Sequence, residues 1–193
     1  EVEAYPHWAG ARPGDIIFKD VNEDGVIDGN DRVRDDRSRT PRFTGGLTVD
    51  VAYKGFDFSC MFQGAFGGIF YQTTESGDFA NFLKSFYDNR WTEDNPTASF
   101  PRTYNRSNEY YVNQQNTFWL HKTDYVRMKN IELGYTIPST VTTRKVFQNM
   151  RFHFDVNNVC VFTPYGGLDP ETDSYAASYP NARTFTFGVD IKF

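Results

Sequence analysis

Arg183-Thr-Phe-Thr-Phe-Gly-Val-Asp-Ile-Lys-Phe193 is the stretch that decides the fold. Its odd positions read Arg, Phe, Phe, Val, Ile, Phe, and its even positions read Thr, Thr, Gly, Asp, Lys. A period of two puts Phe185, Phe187, Val189, Ile191 and Phe193 on one side of a strand, and small or polar residues on the other. A strand of about 9–11 residues is also the length that crosses a bilayer at barrel tilt. Taken alone, the same alternation fits a sandwich strand with its apolar side inward.

Four further segments repeat the pattern. In 43–53, Phe43, Leu47, Val49, Val51 and Tyr53 oppose Thr44, Gly46, Thr48, Asp50 and Ala52. Lys54-Gly55 reads as a two-residue hairpin turn. The return strand, 56–64, sets Phe56, Phe58, Cys60 and Phe62 against Asp57, Ser59, Met61 and Gln63. Strands follow at about 124–137, with a phase slip near Lys129 that signals a bulge, and at about 151–162, where Asn157-Asn158 disturbs the phase again. The fifth is 183–193. Their second faces carry Asp50, Asp57, Glu132, Arg151, His153, Asp155, Asp190 and Lys192, too polar for a protein core. They suit water or the wet lumen of a wide barrel. Membrane barrels begin at about eight strands, and an open edge in lipid leaves backbone groups unpaired. Five strands are therefore expected to be one part of a larger barrel.

Composition narrows the classes. The 193-residue chain has a net charge of −5, which argues against a general nucleic-acid role. Aromatics reach 18%, yet mean hydropathy is −0.60 and no apolar run approaches a membrane helix. That combination fits a membrane β-barrel or a secreted carbohydrate-binding β-domain. Cys60 and Cys160 form no disulfide framework and read as packed free thiols. The beginning, Glu1-Val-Glu-Ala-Tyr-Pro6, is not a signal peptide. Residues 65–120 make a connection far longer than compact soluble domains favour, but of a kind expected outside a membrane barrel. Ala80–Tyr87 is a candidate short helix within it.

One motif carries chemistry. Asp20-Val-Asn-Glu-Asp-Gly-Val-Ile-Asp-Gly-Asn-Asp31 has the spacing of an EF-hand-type calcium loop. Asp20, Asn22, Asp24, Asp28 and Asp31 supply side-chain oxygens, Val26 a backbone carbonyl, Gly25 the sharp turn and Ile27 an inward apolar contact. Calcium takes about six to eight oxygens, which this spacing can wrap round one point. Asp at the twelfth position, in place of the usual Glu, is the variant that dockerin loops also carry. No pair of amphipathic helices flanks the loop, so a structural staple is expected, not a sensor. Trp91, Tyr104, Tyr110, Tyr111 and Trp119 are candidates for stacking on sugar rings, or for loop-core and interface positions. His7, His121 and His153 form no zinc spacing, and no nucleophile–base arrangement is visible; the chain reads as a non-enzyme.

Read together, these pieces resemble the C-terminal end of a SusC/RagA-type TonB-dependent outer-membrane transporter. The residues that carry the resemblance are Pro13-Gly-Asp-Ile-Ile-Phe-Lys-Asp-Val-Asn-Glu-Asp-Gly-Val-Ile-Asp28, Tyr53-Lys-Gly-Phe-Asp-Phe58, Phe62-Gln-Gly64 and Arg90-Trp-Thr-Glu-Asp-Asn-Pro96. Tyr125-Val-Arg-Met-Lys-Asn-Ile-Glu-Leu-Gly-Tyr135, Asn157-Asn158, Gly167-Leu-Asp-Pro-Glu171 and Arg183-Thr-Phe-Thr-Phe-Gly188 complete the series. Arg32–Arg42 departs from the family's usual approach to the first strand. The resemblance implies an all-β fold, an antiparallel transmembrane β-barrel segment holding about the last five of roughly 22 strands. It implies residues 1–42 as an extracellular region with the calcium loop, 43–193 as barrel strands, and 65–120 and 163–182 as extracellular loops. It implies a Gram-negative outer membrane, with the C-terminus at the periplasmic side. The implied partners are the remainder of the barrel and its plug, TonB acting through that plug, membrane lipid and a SusD-like surface lipoprotein. The implied role is import of glycan or peptide fragments. The alternative reading is a secreted, calcium-stabilised β-domain that binds carbohydrate, whose phenylalanine faces would form one buried core.

Overall fold

The computed structural model describes residues 2–71, 84–103, 116–138, 148–167, 169–172 and 181–193. Five strands form one antiparallel sheet: β1 (Phe43–Tyr53), β2 (Phe56–Phe66), β5 (Tyr125–Thr136), β6 (Asn149–Phe162) and β7 (Thr184–Lys192), in the order β1-β2-β5-β6-β7. Two three-residue strands, β3 (Ile69–Tyr71) and β4 (Leu120–Lys122), and one short helix, α1 (Lys84–Asn89), lie between β2 and β5. The sequence places a candidate helix at 80–87; its first four residues lie outside the described residues, and α1 runs on to Asn89.

The hairpin at Lys54-Gly55 has both residues at positive φ, +47° and +88°, as the tightest antiparallel turn requires. Only glycine fits the second position. A Cβ there would lie 2.7 Å from the carbonyl oxygen of Thr136, whose own N–H donates to Gly55 O at 2.7 Å.

The register lines side chains into rows across all five strands. Val51, Phe58, Leu133, Phe154 and Phe187 form one row; Tyr53, Phe56, Tyr135, Phe152 and Val189 the next; Val49, Cys60, Ile131, Val156 and Phe185 a third. This face is apolar and open: Phe187 is 69% exposed and Phe185 66%. The opposite face carries Asp57, Gly134, His153 and Gly188 in one row and Asp50, Ser59, Glu132, Asp155 and Thr186 in another. The alternative reading needs the phenylalanine faces in one sealed core, and among the described residues they are exposed instead.

Lys129 is skipped in both of its ladders: Met128 and Asn130 pair on either side of it, with Phe62 and Met61 in β2. On the β6 side the same step passes Asn158 and Val159, and Asn158 takes a φ of +55°. One extra residue in β5 inverts which face every earlier side chain takes. Arg127 therefore sits opposite Gln63 on the polar face, although it has the odd parity of Ile131 and Leu133.

The chain divides into two compact units. One holds the described residues of 38–70, 122–173 and 179–193, including the five-stranded sheet. The other holds those of 1–37 and 71–121. In the second unit Phe86 and Trp119 form a buried pair, with Trp8, Tyr71, Phe100 and Phe118 packed against it. Phe86 stacks on Trp119 at 6.2 Å and meets Phe100 edge-on at 5.5 Å.

Candidate functional site: a two-faced wall and its loops

The sheet is the element whose chemistry is set by its two faces. On the polar face Arg151 of β6 reaches three carboxylates on three different strands. Its Nη2 donates to Asp57 Oδ2 of β2 at 2.5 Å and to Glu132 of β5, and Nη1 lies 3.6 Å from Asp190 Oδ2 of β7. His153 Nδ1 lies 3.3 Å from the same Asp190 oxygen. Glycine makes room for this layer. A Cβ on Gly134 would fall 2.3 Å from Asp57 Oδ2 and 2.5 Å from Arg151 Nη2. Ion pairing across strands ties β2, β5, β6 and β7 together on this face, in addition to their backbone ladders.

The strands have 11, 11, 12, 14 and 9 residues in order β1, β2, β5, β6, β7. These lengths match the roughly 9–11 residues needed to span a bilayer, with some overhang. No described helix is long and apolar enough to cross a membrane. The Lys54-Gly55 turn, Thr136, Asn149 and Lys192 share one end of the sheet; Phe43, Phe66, Tyr125 and Thr184 are toward the other.

At that second end a buried guanidinium ties Asp169 and Glu171 to the polar face. Arg127 Nη2 donates to Asp169 Oδ1 at 2.6 Å, its Nε lies 2.6 Å from Glu171 Oε2, and Nη1 donates to Asn158 Oδ1. Glu171 also receives Lys129 Nζ, at 3.0 Å to each oxygen, and the Tyr125 hydroxyl at 2.8 Å. The Gly167-Leu-Asp-Pro-Glu171 motif carries no role that the sequence declares. The bulge read at Lys129 is present and moves Arg127 to the face where these carboxylates lie; what no local signal gives is that the 167–171 motif returns to meet it.

The 20–31 loop closes on its own backbone. Asp20 accepts from Glu23 N at 2.7 Å and Gly25 N at 2.8 Å, and Asp24 accepts from Val26 N at 2.9 Å. Asp28 and Asp31 cap a single 3-10 turn reciprocally: Asn30 N donates to Asp28, and Asp28 N to Asp31 Oδ2. N–H donation from Asp28 first, then from Val21, holds the Asp31 carboxyl below the usual carboxylate range. Gly25 takes a φ of +85° and Ile27 is 4% exposed, its N–H donating to His7 O. Among the described residues no three His, Cys, Asp or Glu side chains gather closely enough to hold a metal. The donor set of Asp20, Asn22, Asp24, Asp28, Asp31 and the Val26 carbonyl is all oxygen, the chemistry a hard cation takes.

The aromatic candidates separate. Trp119 is 3% exposed in the loop core, so its ring has no face to offer a sugar. Trp91 is half-buried, its ring over Gly14, where a Cβ would lie 2.4 Å from it. Tyr104, Tyr110 and Tyr111 lie outside the described residues. Cys60 and Cys160 are free thiols, Cys60 buried.

No protein-family model matches the chain. A TonB-dependent receptor of Formosa agariphila is 31% identical over 198 residues, covering 94% of this chain and 19% of that receptor. The TonB-dependent receptor SusC of Bacteroides thetaiotaomicron is 25% identical over 94% of the chain. The RagAB peptide transporter superposes with a TM-score of 0.69 at 25% identity, over 94% of this chain and 20% of that one. Over 94% of its length the chain is similar to TonB-dependent receptors, SusC among them. It spans about a fifth of the length of the curated relatives it matches. The fold is that of a fragment of a TonB-dependent transporter barrel, and the relatives are receptors and transporters, not enzymes. The segment thus presents an antiparallel sheet with one greasy and one charged side.

Proposed function

We propose that these residues form part of the wall and outer loops of an outer-membrane importer of glycan or peptide fragments. The observation that carries this is the open apolar face, continuous across five hydrogen-bonded strands and backed by an ion-paired polar face. In lipid such a face costs nothing to expose, whereas in water it invites aggregation. The polar face then looks into the lumen, and the Lys54-Gly55 turn and Phe193 lie at the periplasmic end. Long connections emerge at the other end, where ligand arrives.

The relatives support two partners for the whole protein. One is a SusD-like surface lipoprotein over the outer loops; the other is TonB, acting through a plug that the rest of the protein would supply. We further propose that loop 20–31 binds Ca2+ as a staple, with Asp20, Asn22, Asp24, Asp28, Asp31 and the Val26 carbonyl as ligands.

The test uses the complete transporter in its native host. Removal of its reading frame, or of its TonB-contacting segment, should abolish growth on either an oligosaccharide or a peptide mixture as sole nutrient. Growth on every such nutrient at the parental rate would defeat the import reading. Spin labels at Phe187 and Thr186 in reconstituted protein test the faces: the first should be accessible to oxygen in lipid, the second to a water-soluble nickel chelate.

A further inference from the structure

We infer that Arg127 is a positioning residue: it latches residues 169–172, which follow 163–167 out of β6, over the polar face of the sheet and so narrows the passage on that side. The narrowing rests on the import reading above; the latch itself does not.

The guanidinium is almost sealed, with side-chain exposures of 3% for Arg127, 5% for Asp169 and 18% for Glu171. Its planar fork spends itself on three acceptors from two places: Asn158 in the β6 bulge, and Asp169 and Glu171 in the loop. Asp169 also accepts Glu171 N from its own segment, at 2.9 Å, and Asn181 Nδ2 from the approach to β7, at 3.1 Å. The loop is therefore folded about a charge supplied by the sheet. Arg127 with Lys129 balances Asp169 with Glu171, so the cluster is neutral and needs no outside counter-ion. Two further hydrogen bonds place the segment: Thr163 Oγ1 to Asp124 O at 2.7 Å and Tyr125 Oη to Glu171.

The latched segment covers something definite. Pro170, Glu171 and Thr172 roof a cavity of about 410 Å³ whose floor includes Thr44, Ala65 and Tyr125. Thr44, Ala65 and Tyr125 are one cross-strand row on the polar face. Ala65 and Tyr125 are buried there, at 5% and 6% exposure, whereas Thr44 on the edge strand stays exposed; an unlatched loop would uncover the two buried residues. The sheet does not need the loop for its own hydrogen bonds, because β5 and β6 are paired on both edges. This is why Arg127 is a device for the loop and not for the strand.

The experiment is thiol labelling of the purified full-length transporter carrying Ala65→Cys, with the native thiols' reaction subtracted. A small maleimide and a bulky polyethylene-glycol maleimide are compared with and without Arg127→Gln. Expected is a bulky-reagent rate that rises by about tenfold or more in Arg127→Gln, with a smaller rise for the small reagent, because breaking a buried ion pair favours opening by more than that factor. Asp169→Asn, which keeps shape but removes the charge, should raise the bulky-reagent rate in the same direction and covers the case in which Arg127→Gln fails to fold. Equal bulky-reagent rates in parent and folded variants would overturn the latch. So would amide exchange that loosens β5 and β6 as much as residues 163–172. Labelling needs no transported substrate, so it decides the latch even if the nutrient assays defeat the import reading.

Discussion

The imidazole of His153 stands over Gly188: a Cβ built on Gly188 would lie 2.3 Å from both Cε1 and Nε2 of the ring. The two are cross-strand partners of β6 and β7. The ring thus lies flat across the polar face, in reach of Asp190. Gly188→Ala should displace the ring and cost about 1–3 kcal/mol, the range for overpacking. His153→Ala in the same protein should recover most of that loss. Thermal unfolding of the purified transporter, followed by the gel shift of heat-denatured barrel, measures both; a double variant no more stable than the single one would refute the stacking.

The two faces of β7 should respond oppositely to charge. Phe187→Arg puts a cation on the apolar face and should destabilise folding into bilayers by about 2–4 kcal/mol near mid-membrane depth. Thr186→Arg, one residue away on the polar face, should cost under about 1 kcal/mol. Urea titrations of the reconstituted protein compare them, and equal penalties would mean that the phenylalanine side does not meet lipid.

Calcium should stabilise the 20–31 loop by linkage. At about a hundredfold excess over its dissociation constant the gain is about 2.7 kcal/mol for the cooperative unit containing the site. Amide exchange within residues 20–31 should slow on adding Ca2+ and recover with chelator. The Asp20→Asn, Asp24→Asn double variant should lose this response. Isothermal titration that detects no Ca2+ binding to the parent would remove the staple.

Trp119 and Trp91 should separate by packing. Trp119→Ala empties the centre of the Phe86 cluster and should cost that unit about 3–5 kcal/mol, seen as faster exchange of amides in Lys84–Asn89. Trp91→Ala, half-buried over Gly14, should cost less. If Trp119→Ala left exchange unchanged but weakened binding of nutrient, the residue would be a ligand platform after all.

Much of the wall was legible because alternation is a local property. Phe185, Phe187 and Val189 each declare their side by their neighbours in the chain, and Lys54-Gly55 declares a hairpin because a glycine, free to take positive φ, stands between two alternating runs. The loops were less legible. Nothing local in Trp119 distinguishes a surface ring from a buried one, and its burial depends on Phe86 and Phe100, which lie far from it in sequence. The acids of 20–31 announce an oxygen-rich loop, but the way they cap Gly25, Val26 and Asn30 is a matter of three-dimensional closure.

The sequence by itself determined that five strands have one greasy and one charged side, because a two-residue period needs no partner to be read. Tertiary pairing decided what Arg127 meets. The phase slip near Lys129 is readable in the chain and puts Arg127 out of step with Ile131 and Leu133, but only the ladders to β2 and β6, which pass over Lys129, fix the slip there and bring the side chain to Asp169 and Glu171. An extra residue shifts the phase of everything beyond it, and its position is fixed by which neighbouring carbonyls and N–H groups find partners, information that a single strand does not contain.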